Sequence, residues 1–589
     1  MKKSILYLSF ISILSCISIA QSESVSFKSA LDGSLVTFTS SNLPIVIINT
    51  NGQEIPDDYK ITADMGVIYN GEGVRNNLTD PYNNYNGKIG IEIRGSSSQW
   101  FPKKQYAFET RDLAGNDLDV SLLGLPQESD WILFAPYNDQ SLMRDVLVYK
   151  IAASMGRYAS RSKYCEVVLN GEYVGVYVLL EKVKRDANRV NIKKLEPADV
   201  TGDALTGGYI IKIDKTDGEN NDGWYSNYLP FPQAQYSVFY QYHYPKPDEI
   251  VQQQKDYIQN KIFQFETMMS LGSNISDSST GYPKFLDTDS FVDCFIANEV
   301  AKNVDGYRLS TYLYKDRDSR NPKIFAGPVW DFNLGFGNAD YYDGWLTTGW
   351  QLQFLTDYQN IPSDEPFLTP NWWRKLFDDT AFRNKVYARW QNVKTSLINT
   401  TTIYHSIDSL TTLLDESKTR NFEKWPVLGV WVWPNYYVGQ TYQQEISYLK
   451  NWIAFRLNWM NNNMIGEPTG VGEGELEIPS EFRLEQNYPN PFNPSTIIRY
   501  TVPNATLSGV EGSRVQLRVY DVLGNEVVTL VNEYKQAGQY QVEFNAAQSA
   551  AADLPAIVSG VYFYRLEVGI SSISSGQSFV EVKKMIYLK

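Results

Sequence analysis

Gly327-Pro328-Val329-Trp330-Asp331-Phe332-Asn333-Leu334-Gly335-Phe336-Gly337 sets one carboxylate and one carboxamide on alternate residues, boxes them with aromatics and closes with glycines. Such a donor set suits a divalent metal, which takes oxygen ligands. Upstream, Asn303-Val304-Asp305-Gly306-Tyr307 puts a second carboxylate at the end of a helical segment. Between the two motifs, Ser310 to Tyr314 and Lys323 to Ala326 read as the strands of a hairpin, which predicts that Asp331 is returned toward Asp305. One acid that holds Mg²⁺ and one that orients a hydroxyl are what phosphoryl transfer needs, because that chemistry is mostly positioning and charge neutralisation. A structural reading competes: Asp, Asn and Gly also cap helices and close loops.

The chain has 589 residues, more than one hydrophobic core usually serves, so two or three domains are expected. Its hydrophobic content of 43% and charged content of 20% are ordinary globular values. Lys plus Arg number 53 against 67 Asp plus Glu, a net charge of -14, which gives no general attraction to nucleic acid or to an anionic membrane face. With only 2 histidines, His243 and His405, a Ser-His-Asp triad or a His-rich zinc site would have to use one of them. His243 reads as part of an aromatic loop and His405 as part of a helix-like stretch, and neither has a suggestive partner nearby. Carboxylates, lysines and a hard metal are left to do any chemistry.

Met1-Lys2-Lys3, the apolar run from Ile5 to Ile19 and the small residues around Ser18-Ile19-Ala20 predict a signal peptide over 1–20 and an exported protein. A rival reading makes Cys16 a lipid-modified cysteine, which would anchor the chain. Cys165 and Cys294 remain after cleavage, and the sequence leaves their pairing open. No later stretch has the roughly 18 consecutive apolar residues of a membrane span.

Organisation follows from composition. A main α+β domain over 26–463 divides into a strand-rich lobe, 26–217, and a helical lobe, 247–463. The first carries strand-like runs at 43–48, 88–93, 165–169, 174–180 and 209–213, and one helix at 141–155. In the second, amphipathic spacing predicts helices at 248–269, 289–302, 371–397 and 442–460, the first three starting on Asp or Asn as N-caps. A cleft between the lobes is the expected ligand site. The stretch 464–480, rich in Gly and Glu, reads as a linker. After it, 481–589 alternates apolar and polar residues at 496–501, 515–520, 540–544 and 560–568, as in a small all-β sandwich.

The first lobe supplies cations. Ile91-Glu92-Ile93-Arg94-Gly95-Ser96-Ser97-Ser98-Gln99-Trp100, followed by Phe101-Pro102-Lys103-Lys104, joins a strand to a Gly/Ser turn and to a returning strand with lysine. Backbone N–H groups and hydroxyls such as that of Ser97 can cradle phosphate there, and Arg94 and Lys104 can neutralise it. Small polar residues also make ordinary turns. Glu181, at the end of an apolar strand, either holds a lysine by ion pairing or is a solvated edge charge.

Arg94-Gly95-Ser96-Ser97, Pro102-Lys103-Lys104, Gly156-Arg157-Tyr158, Glu166 to Gly171, Gly175-Val176-Tyr177, Glu181-Lys182, Gly207-Gly208-Tyr209 and Trp330-Asp331-Phe332, in that order, resemble the CotH family of spore-coat-type atypical kinases from about Leu43 to Asn461. The resemblance implies a two-lobed, reduced protein-kinase-like fold that binds ATP with Mg²⁺ or Mn²⁺ between its lobes and phosphorylates Ser or Thr of a partner protein. By motif, Asp305 would sit near the transferred phosphoryl group and Asp331 would hold metal, with Asn333 as a second ligand where the family often has Asp. Arg94, Ser97, Lys104 and Glu181 would face the nucleotide.

The tail, with Phe482 to Pro494, Val519 to Gly524, Gly560 to Arg565 and Lys583 to Ile586, resembles the type A C-terminal sorting domain of the type IX secretion system, and implies that machinery as a partner. Two other functions stay open. A kinase-like surface protein that no longer turns over would use its 14 Trp and 41 Tyr to hold glycans or proteins. A carbohydrate hydrolase would need Asp305 and Asp331 about 5 to 9.5 Å apart, and would leave Arg94, Lys103 and Lys104 without a role.

Overall fold

The computed structural model describes residues 36–216, 222–467, 482–502, 513–535, 538–546, 557–569 and 578–588. The expected signal peptide and Cys16 lie outside them, as does most of the expected linker. The chain forms two compact units, Met1–Thr469 and Gly470–Lys589.

Seven strands of the first unit close into a barrel: β1 (Ile45–Asn49), β2 (Ile61–Ile68), β3 (Tyr85–Arg94), β4 (Gln105–Arg111), β5 (Asp130–Phe134), β6 (Ser162–Leu169) and β7 (Glu172–Glu181). They run in the order β1-β2-β3-β4-β5-β7-β6. Six of the pairings are antiparallel; β6 closes the ring by pairing parallel to β1, with Ile45 opposite Glu166 and Ile48 opposite Leu169. The run Asp130–Phe134 is apolar on both faces because both faces are covered. Trp131 and Leu133 fill the barrel, while Ile132 and Phe134 join the core of the helical part. On β7, Tyr177 and Leu179 point inward and Val176, Val178 and Leu180 outward. Each such aliphatic side chain removed from water stabilises the fold by about 1.5–3 kcal/mol. A closed barrel is a more specific arrangement than the strand-rich lobe read from sequence.

A second sheet has the order β9-β10-β8-β11-β12, built from β8 (Tyr209–Ile213), β9 (Gly223–Tyr225), β10 (Phe239–Tyr244), β11 (Thr311–Lys315) and β12 (Ile324–Ala326). The expected hairpin is β11 with β12, Leu313 opposite Ala326. Tyr209–Ile213, read with the first lobe, pairs instead with β11, strand to strand with later chain. His243 corrects its sequence reading: it lies on β10 and not in a loop.

Helices α1 (Arg144–Ser154), α2 (Gln252–Leu271), α3 (Thr288–Ala301), α4 (Asn371–Asp378), α5 (Thr380–Val393), α6 (Thr400–Leu413), α7 (Ser417–Lys424) and α8 (Tyr442–Asn463) surround this sheet and the barrel wall. α3 is buried on nearly every side, so apolar residues lie all round it, and Glu299, buried among them, is paired with Arg456. Three expectations need correction. The helix expected over 371–397 is broken at Asp379, whose backbone is extended and whose carboxylate accepts from Phe382 N–H at 2.9 Å, an N-cap that outweighs helix continuity. α3 is capped by Asp287, with Ser290 N–H at 2.9 Å, and not by Asp289. α2 starts four residues after Asp248, where the Gln254 side chain accepts from Val251 N–H at 3.2 Å.

The second unit has two antiparallel sheets. One is β13 (Arg483–Leu484), β14 (Ser495–Val502) and β17 (Gly538–Asn545); the other, in order, is β16 (Glu526–Lys535), β15 (Ser513–Tyr520), β18 (Gly560–Gly569) and β19 (Ser578–Tyr587). Leu484, Ile498, Tyr500 and Phe544 of the first share one core with Val515, Leu517, Tyr564, Leu566 and Met585 of the second. Strict alternation of buried and part-exposed residues along β14 accounts for its legibility.

Candidate active site

One end of the second sheet gathers the acids. β8 ends at Ile213, opposite Thr311 at the start of β11, and β12 ends at Ala326, opposite Leu313. The residues that follow β8, precede β11 and follow β12 therefore emerge side by side. They carry Asp214, Asp305 and Asp331. A bond from Ser310 N–H to Asp214 Oδ1 at 3.3 Å ties the first to the second. Cations are mixed in: Lys212 pairs with Asp214 at 3.5 Å, and Lys215 and Arg94 lower the cost of charge on Asp331.

Asp331 is the centre. It is exposed to solvent although many protein atoms surround it. Among the described residues, no side chain donates to its carboxylate and no cation pairs with it within 4.0 Å. That crowding, together with the like charges of Asp305 and Asp214, pushes its carboxyl up to about 6 against the pull of Arg94 and Lys215. The backbone here is left-handed, with φ 62°, a region that non-glycine residues enter only when held. Three bonds hold it: Asp331 N–H to Tyr149 Oη at 3.3 Å, Asn303 Nδ2 to Asp331 O at 3.3 Å, and Phe332 N–H to Asp145 Oδ1 at 2.7 Å. The closing glycines fit the same turn. Gly337 has φ 76°, and a Cβ there would lie 2.4 Å from the Trp452 ring.

Asp305 sits in the turn after α3, whose end is marked by Lys302 in the left-handed region. Its Oδ1 accepts from Arg308 Nη2 at 2.9 Å and from Tyr341 Oη at 3.4 Å. Tyr341 stacks on Trp433, ring centroids 6.4 Å apart, and Trp433 approaches Trp100 from the Gly/Ser turn at 6.3 Å. Arg94 lies over the Trp330 ring at 5.7 Å, beside Asp331. Asn333 donates through Nδ2 to Asn138 Oδ1 at 3.0 Å, which leaves its own Oδ1, the metal-binding end of an amide, out of that bond.

The other sequence-predicted residues are placed differently. Ser97 opens a 3₁₀ turn over Ser97–Trp100, and Gly95 is required there: its φ is 100° and a Cβ would lie 2.0 Å from Ser98 Oγ. Lys104 Nζ donates to Gln99 O at 2.6 Å, bracing that turn from within. Glu181 is buried at the end of β7, where Arg161 Nε donates to it at 3.0 Å and Tyr158 Oη at 3.3 Å; its partner is arginine and not lysine. Lys103 is buried too, donating to Asn421 Oδ1 at 2.8 Å, and burial lowers its ammonium to about 7. His243 Nε2 donates to Val183 O, 2.8 Å away, and burial with Lys212 nearby brings it down to about 4, so it is neutral at pH 7. Cys165 and Cys294 are unpaired.

Sequence reading missed Asp214, Lys215, Asp145 and Tyr149. Asp214 had a usable signal, an acid directly after the apolar run Tyr209–Ile213; Asp145 looked like an ordinary first-turn helix residue. Among the described residues, no group of three or more His, Cys, Asp or Glu is arranged to hold a metal, and no helix is long and apolar enough to cross a membrane. Two oxygen donors are nevertheless ordinary for Mg²⁺, which keeps waters and takes the rest of its shell from phosphate. An unpaired carboxylate crowded by two others fits a cation. A cavity of about 190 Å³ lined by Arg157, Tyr158, Val190, Tyr314 and Gly327 to Val329 lies nearby, but it lacks Asp305, Asp331 and Arg94, and it is smaller than the usual ligand pocket.

The chain has no match among the curated proteins. Residues 91–460 match a family described as CotH kinase protein, a span that takes in Arg94, both acidic motifs and helices α1 to α8 up to the last turn of α8. With most of its length so matched, and the acids of that span gathered at one sheet end, the chain belongs to the CotH kinase family.

Proposed function

We propose that this protein transfers the γ-phosphoryl group of ATP, taken with Mg²⁺ or Mn²⁺, to a Ser or Thr hydroxyl of a surface or secreted protein. The observation that carries the reading is the solvent-reached, unpaired carboxylate of Asp331 between Asp305, Asp214 and Arg94. Asp331 and Asn333 would hold the metal, whose chemistry when bound is to neutralise the phosphate oxygens. Arg94 offers the anion a planar cation at the same spot. Asp305 orients the acceptor hydroxyl and accepts its hydrogen bond, and Arg308 and Tyr341 keep the carboxylate from swinging away. Titration of the mature chain with Mn²⁺ and ATP, followed by transfer of labelled phosphate, tests the assignment. Asp331→Ala should abolish metal-dependent nucleotide binding. Asp305→Asn should leave binding within about twofold and slow transfer by about a thousandfold, as loss of an acid–base group does. Equal loss of binding in both variants contradicts these roles.

A silent, binding-only protein is the second reading, favoured by Asn333 in place of a carboxylate and by the existing hold of Arg308 on Asp305. Nucleotide binding without transfer would select it. Export through the 1–20 signal peptide and delivery by the type IX machinery complete the proposal, supported by the motifs of the tail. Deleting 482–589 should trap a folded enzyme in the periplasm; normal surface delivery of that truncation would refute the sorting role, and membrane retention lost with Cys16→Ala would favour a lipid anchor.

A further inference from the structure

We infer that Asp145, on the first turn of α1, is a positioning residue that shapes the Asp331 turn by accepting a hydrogen bond, and that its charge is not what the site uses. The activity readout below rests on the kinase reading; the inference itself rests on the packing of one helix face. Asp145 and Tyr149 are four residues apart on α1, so they lie on the same face. Between them they engage three consecutive residues. Tyr149 stacks on Trp330, centroids 5.9 Å apart and rings 19° from parallel. Its Oη accepts from Asp331 N–H, and Asp145 Oδ1 accepts from Phe332 N–H at 2.7 Å. Tyr149 Oη also lies 3.3 Å from Asp145 Oδ1, linking the two grips.

Asp145 is 2% exposed, and its Oδ2 has no hydrogen-bond partner. No cation compensates it: the neighbouring Arg144 is committed to Asp139, both side chains 1% exposed. An uncompensated buried carboxyl is costly. What it provides is one acceptor, aimed at the residue after the left-handed Asp331. Take that acceptor away and the buried Phe332 N–H is orphaned, and the peptide plane after Asp331 keeps only the longer bond from Asn303 Nδ2 to Asp331 O, 3.3 Å, to set its angle.

Three full-chain variants test this. Asp145→Asn keeps an acceptor oxygen and removes the charge; Asp145→Ala removes both; Tyr149→Phe removes only the hydroxyl. Hydrogen exchange of the Phe332 amide, which needs no activity, should remain protected in Asp145→Asn and lose protection in Asp145→Ala. In parallel, kcat with MnATP should fall about tenfold to a hundredfold in Asp145→Ala, the cost of one unsatisfied buried group, with the acceptor KM nearly constant and most activity retained in Asp145→Asn. Tyr149→Phe should be intermediate. Unchanged Phe332 protection in Asp145→Ala overturns the inference, and so does Asp145→Asn failing as fully as Asp145→Ala. Should Asp145→Ala not fold, loss of Phe332 protection in Tyr149→Phe supports the linked grip and wild-type protection refutes it. If the wild-type chain neither binds MnATP nor transfers phosphate, the kinase reading fails while the exchange result still decides the role of Asp145.

Discussion

Glu299 and Asp331 are both acids crowded by protein, and they are treated in opposite ways. Glu299, on α3, is fully buried with Arg456 at 2.9 Å, and it further accepts from Gln351 N–H and Leu352 N–H at 2.8 Å each and from Tyr307 Oη at 2.9 Å. Every lone pair has an assignment. Asp331 has none, and its nearest charged neighbours include two more acids. At Glu299 the fold completes the hydrogen bonds around a buried charge; at Asp331 it leaves a carboxylate incomplete and reachable by water, and the missing partner is expected from outside.

The contrast can be broken most forcefully at Glu299. Glu299→Ala strands Arg456 in the core and should cost about 3–5 kcal/mol in urea unfolding. Asp331→Asn, which suits a left-handed backbone, should leave stability unchanged or raise it, since it removes repulsion. A large loss in Asp331→Asn would erase the distinction. Next in size is Arg94→Ala, expected to weaken MnATP binding about tenfold through loss of a charge-assisted contact. Lys104→Ala should weaken it only about twofold, because its ammonium braces Gln99.

A pH series sharpens the same point. The Asp331 carboxyl is raised to about 6 from 3.8, so between those values the folded chain holds a proton that the unfolded chain has released. Stability from this group therefore rises as pH falls from about 6 to 4, and the repulsive cost is fully present above 6. Metal binding needs the ionised form and should weaken over the same fall. Calorimetric melting from pH 4 to 7 should show a flatter profile for Asp331→Asn than for wild type; identical profiles would mean that Asp331 titrates normally.

Local pattern made much of this legible. β8 was read residue for residue, and the hairpin came within one residue, because short apolar runs bounded by polar turns are strand signals. Asp305 and Asp331 were nominated by donor type and spacing, and Arg94 by its Gly/Ser turn. The barrel was not legible: its closing pair joins Ile45–Ile48 to Glu166–Leu169, and nothing local in either run specifies a partner so far away. Asp214 was missed for the same reason, since its place beside Asp331 exists only through strand order. Glu181 is assigned to ligand from sequence because burial and fixed protein partners do not show in a one-dimensional pattern. The helix break at Asp379 was a capping competition resolved in favour of the second helix.

One consequence of the β8-β11-β12 ladder remains. Three acids distant in sequence leave the same end of neighbouring strands, so the ladder serves as an alignment gauge for the whole charge constellation. Sliding Thr311–Lys315 by a single residue would exchange the faces of Tyr312 and Leu313 and carry Asp305 out of step with its neighbours. By this logic, length changes in the connection between β11 and β12 spare the alignment of the acids, whereas one residue added within either strand breaks it.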